Sequence, residues 1–271
     1  VTRWVLLLEY DGSGFVGWQR QARGVAVQAV LEAAAGKLAH GAPVAAVAAG
    51  RTDAGVHAAG QVVHLDLAPP YAPDRLREAL NFHLRPHAVS VLRAAVVAEA
   101  FSARFDAVGR SYRYRILNRP ARPALHAGQV WHVPHALDAD AMHTAAQGLL
   151  GRHDFSSFRA SACQARSPLR TLDRLDVRRD GDMIEILADA RSFLHHQVRN
   201  MVGTLKLVGE GRWSAARVAA ALAARDRAAA GPTAPPQGLC LTAVRYAADP
   251  FTPATRYDHI AVTENPLHAP Q

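Results

Sequence analysis

Ala49-Gly50-Arg51-Thr52-Asp53-Ala54-Gly55-Val56-His57 lies between two strand-like runs, Val44–Ala48 and Gln61–Leu67. Its glycines bracket an arginine and an aspartate two residues apart. An Asp in such a loop ordinarily caps amides of its own turn. The alternative is a carboxylate presented for nucleophilic chemistry, with the guanidinium as a nearby counter-charge. Upstream, Trp4–Glu9 reads as a buried strand closed by the turn Asp11-Gly12-Ser13-Gly14. Val27, Val30, Leu31, Ala34 and Leu38 then recur at helical spacing within Val25–Leu38. Downstream, Pro73 and Asp74 open a helix that carries Leu76, Leu80 and Leu84, and Ser90–Val97 is again strand-like. Strands and helices alternating over about 100 residues suit one α/β unit.

Beyond that unit, Tyr112, Tyr114 and Ile116 alternate with Arg113 and Arg115, which predicts a strand with one aromatic and one basic face. A helix over Leu137–Leu150, strands Leu172–Arg178 and Met183–Asp189 joined at Asp180-Gly181, and a helix over Leu194–Val208 follow. Ser214 caps an Ala-rich helix reaching Arg225, and Leu239–Tyr246 is the last strand. The expected organisation is an N-terminal α/β subdomain over 1–105, a C-terminal one over 106–248 and a Pro-dotted tail over 249–271. The length of 271 residues also suits about two domains.

The formal charge is +8, and of 31 basic residues only Lys37 and Lys206 are lysines. A permanently charged planar fork suits phosphate and base recognition, although biased codon usage would produce the same excess. Two cysteines, Cys163 and Cys240, exclude a disulfide framework and a thiolate-rich metal site. No apolar run approaches the roughly 18 residues of a membrane helix. The opening run Val1–Tyr10 has no basic flank or small-residue cleavage site, so a cytoplasmic protein is expected.

Gly12-Ser13-Gly14-Phe15-Val16-Gly17 matches a dinucleotide-binding fingerprint after a strand. That site needs the helix to begin at the glycines, and here Trp18-Gln19-Arg20-Gln21 intervenes, so neither a dinucleotide nor a nucleotide-dependent oxidoreductase is expected. Phe101–Arg122 interleaves six arginines with Phe101, Phe105, Tyr112 and Tyr114 against one acid, Asp106. Arginines for phosphates and aromatics for unpaired bases describe a single-stranded RNA surface; a core-facing aromatic row with solvated arginines is the alternative. Arg159–Arg179 is a second basic segment. His195 and His196, placed on a helix, point in different directions, so no metal site is expected from them. Arg199 on that apolar helix needs a partner if it is buried.

Several stretches together resemble the tRNA pseudouridine synthase A family: Glu9–Gly12, Gly17–Gln21, Ala49–His57, Gln61–His64, Phe101–Phe105, Tyr112–Tyr114, His153–Arg159 and Phe193–Gly203. The resemblance implies an α+β pseudouridine-synthase fold: two ferredoxin- or RRM-like α/β subdomains with mostly antiparallel sheets flanking a basic cleft. It implies an isomerase without cofactor or metal that converts uridine to pseudouridine at positions 38, 39 and 40 of the tRNA anticodon stem-loop after base flipping. A homodimer is implied as well. Asp53 matches the essential aspartate, Arg199 the arginine paired with it, Tyr112 the tyrosine stacked on the target uracil, and Arg51 the residue associated with base flipping. Phe101, Ser102, Ala103, Arg104 and Phe105 match one RNA-contacting segment, and Ala162, Cys163, Gln164, Ala165 and Arg166 another. Attack by Asp53 at C6, attack at C1′ and a glycal route all remain open, as does whether Tyr112 acts as acid, base or stacking platform only. A non-catalytic RNA-binding protein on the same fold is the rival reading.

Overall fold

The computed structural model describes residues 1–68 and 71–252. Its strands are β1 (Thr2–Tyr10), β2 (Val47–Ala48), β3 (His57–Leu67), β4 (Val89–Val96), β5 (Ala107–Leu117), β6 (Trp131–His132), β7 (Gly151–Asp154), β8 (Leu169–Asp180), β9 (Met183–Ala190) and β10 (Leu239–Tyr246). Its α-helices are α1 (Val27–Leu38), α2 (Pro73–Leu84), α3 (Ala139–Gln147), α4 (Gln197–Gly209) and α5 (Ala215–Ala224). All ten described strands form one sheet in the order β4-β1-β3-β10-β5-β9-β8-β7, with β2 on β3 and β6 on β5. The pairings are antiparallel except β10 with β3 and β5 with β6. This is the mostly antiparallel α+β architecture that the family resemblance implies.

One sheet therefore runs through both halves of the chain, and the last strand joins them. Cys240 and Leu241 of β10 pair with His57 and Ala58 of β3, while its other edge pairs with β5 from Tyr114 to Ala107. Side chains of β10 divide between two cores. Leu239 joins Tyr114, Ile116, Ile184, Ile186, Met142, Val198, Met201 and Leu205. Leu241 joins Trp4, Leu6, Leu8, Val27, Leu31, Leu76, Leu80 and Leu84. The three leucines of α2 are fully buried, each contributing roughly 2 kcal/mol by transfer from water. On the opposite face of β1, Val5 packs with Val62, Ala49, Ala103 and Phe251. Burial on both faces explains why Trp4–Leu8 reads as a continuous apolar run and not as an alternation. Phe251 and Asp249 also bind Arg93 of β4, through a guanidinium 4.9 Å from the Phe251 ring and a 3.8 Å ion pair. Of the segment 249–271, residues 253–271 lie outside the described residues.

Several expected elements change in extent: β3 begins four residues before Gln61 and β8 three before Leu172, and two others become shorter at their starts. The helix expected from Leu194 begins only at Gln197, because His196 adopts a left-handed backbone (φ 62°, ψ 5°) that α-helical propagation cannot include. Leu194 is nonetheless buried and remains part of the apolar stripe. The strand expected over Val44–Ala48 shortens to Val47–Ala48, with Val44 and Ala46 buried in irregular chain.

The glycine motif has a different use from phosphate binding. The first amides of α1, those of Val27 and Gln28, donate to the carbonyls of Gly17 and Trp18 at 3.2 and 3.0 Å, so the helix terminus is closed by the chain itself. A Cβ on Gly12 would stand 2.1 Å from Val56 O, and one on Gly17 (φ +107°) 2.7 Å from Thr52 O. Both glycines let this turn press against the Asp53 loop, whereas a Cβ on Gly14 meets nothing within 4 Å. Gly17→Ala is accordingly expected to cost about 2 kcal/mol or more and to lower the melting temperature by roughly 5 °C, with Gly14→Ala close to wild type. Thermal denaturation followed by circular dichroism checks this; equal melting temperatures for the two variants would contradict the packing account.

Candidate active site

Asp53 occupies the connection between β2 and β3, and several contacts fix that loop from beneath. Thr52 is buried, with its hydroxyl 2.7 Å from the Tyr10 hydroxyl, and Gln61 Nε2 donates to Gly50 O at 2.7 Å. Burial pushes the Tyr10 phenol up to about 12, so at neutral pH it takes part as a neutral hydroxyl. Trp18 N donates to Thr52 O (3.0 Å), Gly55 N to Phe15 O (3.3 Å) and Val56 N to Asp53 O (3.1 Å). His57 Nδ1 accepts the Gly12 amide at 3.0 Å, which leaves Nε2–H to donate to Gly128 O at 2.9 Å. Among the described residues the Asp53 carboxylate accepts no hydrogen bond from the amides of its own loop.

That carboxylate points toward the second half of the chain. Arg199 Nη1 donates to Asp53 Oδ2 at 3.0 Å, and Arg199 Nε donates to Ala234 O at 2.8 Å. The Arg199 side chain is only 12% exposed and that of Asp53 21%, so the pair is largely withdrawn from solvent. The buried arginine predicted to need a partner therefore has one 146 residues away. α4 is itself held by Asn200, fully buried, whose Nδ2 donates to Phe158 O at 2.8 Å. Asn200 Oδ1 accepts from Thr233 Oγ1 (2.6 Å) and Arg227 Nη2 (3.2 Å), tying the helix to the loop that carries Ala234.

His195 and His196 also meet Asp53, against the helical geometry expected for them. They precede α4, and the left-handed turn at His196 brings both rings to one side, with centroids 4.0 Å apart. His195 Nε2 lies 3.2 Å from Oδ1 and His196 Nε2 3.4 Å from Oδ2. Neither the spacing nor the apolar periodicity reveals this, because it depends on a single backbone torsion.

Tyr112 in β5 packs against both cores and meets Phe193 edge-on at 5.2 Å. Burial, reinforced by the charge of Asp53, pushes its phenol well above the usual tyrosine range, so it stays protonated at neutral pH. Arg51 is exposed, and among the described residues its side chain makes no hydrogen bond or ion pair.

The segment from Phe101 to Phe105 divides by burial. Phe101 packs on His64 and Tyr246, and Ala103 is fully buried with its amide on His64 Nδ1 (3.0 Å). The Ala103 side chain therefore cannot face a ligand here. Phe105 is 74% exposed, with the Arg104 guanidinium 5.4 Å from its ring centroid, and Ser102 Oγ accepts the Phe105 amide. Ala162, Gln164 and Arg166 are exposed, while Cys163 and Ala165 are half-buried.

The nearby arginines do not act as one basic surface. Arg110 is buried and donates to four carbonyls, those of Ala49, Arg104, Ala107 and Arg191, joining the root of the Asp53 loop to the Phe101–Phe105 segment. Arg113 and Arg115 share Glu185 with Arg178, and Arg119 lies on Asp182.

Comparison with known proteins finds relatives over most of the chain. The family model described as tRNA pseudouridine synthase matches residues 7–106 and 145–247. The protein called tRNA pseudouridine synthase A in Acidiphilium cryptum is 70% identical over 255 residues, covering 92% of this chain and 98% of that protein. Its namesake in Gluconobacter oxydans is 56% identical over 254 residues, covering 93% and 92% of the two chains. That of Paramagnetospirillum magneticum is 61% identical over 246 residues, covering 91% and 96%. The matched segments contain both Asp53 and Arg199, and the chain belongs to the tRNA pseudouridine synthase family.

Proposed function

We propose that this protein isomerises uridine to pseudouridine in tRNA, at positions 38, 39 and 40 of the anticodon stem-loop, with Asp53 as the nucleophile. The observation that carries this reading is the Asp53 carboxylate held by Arg199 at 3.0 Å and not engaged in capping its own loop. A stem uridine is out of reach while stacked, so the target nucleotide is extruded first. Arg51, exposed and unpaired among the described residues, is suited to fill the vacated space and contact phosphate. The N1–C1′ bond then breaks, the uracil turns, C5 bonds to C1′, the C5 proton leaves and N1 takes up a proton. Atoms and electrons are conserved, so the reaction itself consumes no reductant, oxidant or energy source. A protonated, well-packed Tyr112 supports a stacking role. Phe105 with Arg104 offers the combination of an exposed ring and a guanidinium that suits an unpaired base and its phosphate.

A homodimer acting in the cytoplasm completes the reading. Two free cysteines, both half-buried, suit a reducing compartment. No helix among the described residues is long and apolar enough to cross a membrane.

Asp53→Asn preserves shape and removes the nucleophile. Pseudouridine formation is expected to fall by more than about a thousandfold, with tRNA affinity kept within about tenfold. Tritium release from 5-tritiated uridine in tRNA, alongside filter binding, reads both; undiminished turnover would refute the nucleophile assignment. Arg104→Ala is expected to weaken tRNA binding and to reduce the slope of log affinity against log salt by about one. An unchanged slope would remove Arg104 from the phosphate contacts.

A further inference from the structure

The grouping of Asp53, His195 and His196 goes further than isomerase chemistry requires. Oδ1 of Asp53 and Nε2 of His195 are 3.2 Å apart, Oδ2 and Nε2 of His196 3.4 Å, and one donor atom from each residue lies within 4.8 Å of the others. Neither imidazole makes a hydrogen bond to the carboxylate. Zinc bonds to nitrogen and oxygen at about 2.0–2.2 Å in a tetrahedron, which places neighbouring ligand atoms about 3.4 Å apart. The 3.2 Å between Oδ1 and His195 Nε2 is close to that edge, and His196 completes the set within 4.8 Å. His196 also adopts a left-handed backbone that non-glycine residues seldom take, and this turn is what brings two successive imidazoles to the same side. Among the described residues no other group of three His, Cys, Asp or Glu brings its donor atoms this close.

We propose that Asp53, His195 and His196 bind one divalent cation of the zinc class, and that its binding blocks the reacting carboxylate and inhibits the enzyme. Two imidazoles and one carboxylate form a donor set suited to zinc and poorly suited to magnesium, which favours oxygen ligands in an octahedron. Arg199 occupies Oδ2, leaving Oδ1 facing His195 for the ion. The fourth position faces solvent or substrate, since the His195 side chain is 42% exposed. The inhibitory half of the proposal rests on Asp53 being the reacting group; the binding half does not.

Competition for Zn2+ with a chromophoric chelator, on the full chain and in the absence of tRNA, tests binding directly. One zinc per chain is expected, undisturbed by excess Mg2+. His195→Ala and His196→Gly should each weaken it by more than about tenfold, the glycine also suiting the left-handed backbone and preserving the fold. A double Cys163→Ser, Cys240→Ser variant should bind zinc as wild type does. No zinc bound by wild type, or full affinity in either histidine variant, would overturn the site. Pseudouridine formation should decline in step with zinc occupancy and return with EDTA; full turnover at saturating zinc would overturn the inhibition. A zinc-free protein without isomerase activity would count against the proposed reaction and leave the binding isotherm to decide the site.

Discussion

The contact between Asp53 and Arg199 joins a loop of the first half of the chain to a helix of the second, and much of the architecture serves to hold it. A largely buried ion pair stabilises only when its geometry is fixed and its remaining polar groups are satisfied. Arg199 meets this condition by giving its Nε to Ala234 O while Nη1 reaches Oδ2. The loop that supplies Ala234 is pinned by Asn200 through Thr233 and by the Tyr114 hydroxyl, which donates to Pro235 O at 2.7 Å. Asp53 meets its side of the condition through Thr52, Tyr10 and the two close-packed glycines beneath the loop. β10 sets the distance between the two sides, because it pairs with β3 just after the Asp53 loop and with β5 along the row that contains Tyr112 and Tyr114.

The same economy appears in the arginines. A net charge of +8 suggests a broad basic surface, yet much of the charge near the site is committed. Glu185 neutralises parts of Arg113, Arg115 and Arg178, and Arg110 sits inside the protein on four carbonyls. Arg110 bonds both Ala49 and Arg104, so the position of the Asp53 loop is mechanically linked to that of the exposed Arg104–Phe105 pair. RNA contact at Phe105 and chemistry at Asp53 would then share one rigid support. Selective recognition from a few uncommitted guanidiniums leaves less non-specific affinity than a uniformly basic face would.

Much of this was legible in the chain, for identifiable reasons. Strands and helices announce themselves where one face is buried: Leu76, Leu80 and Leu84 mark α2, and Tyr114 and Ile116 mark β5. Asp180-Gly181 marks the β8–β9 hairpin, and Ser214, accepting the Arg217 amide, marks the start of α5. Three features were hidden because each depends on tertiary geometry. The left-handed torsion at His196 turns a helical reading of the histidine pair into a shared orientation toward Asp53. The glycines of the apparent dinucleotide motif make way for Val56 O and Thr52 O, an approach that no local pattern encodes. The burial of Arg110 inverts what a charge count implies: it shares the face of Tyr112 and Tyr114, not that of Arg113 and Arg115, and only the fold supplies the four carbonyls that receive it.

The central claim is that this geometry performs one isomerisation at one region of one RNA class. Incubating the protein with unmodified tRNA transcripts, followed by carbodiimide labelling and primer extension, maps every pseudouridine formed. The account predicts product at positions 38, 39 and 40 wherever these are uridines, and none when the same uridines are replaced. Pseudouridine confined to other parts of the tRNA, or none at all from a protein that binds it, would contradict the account.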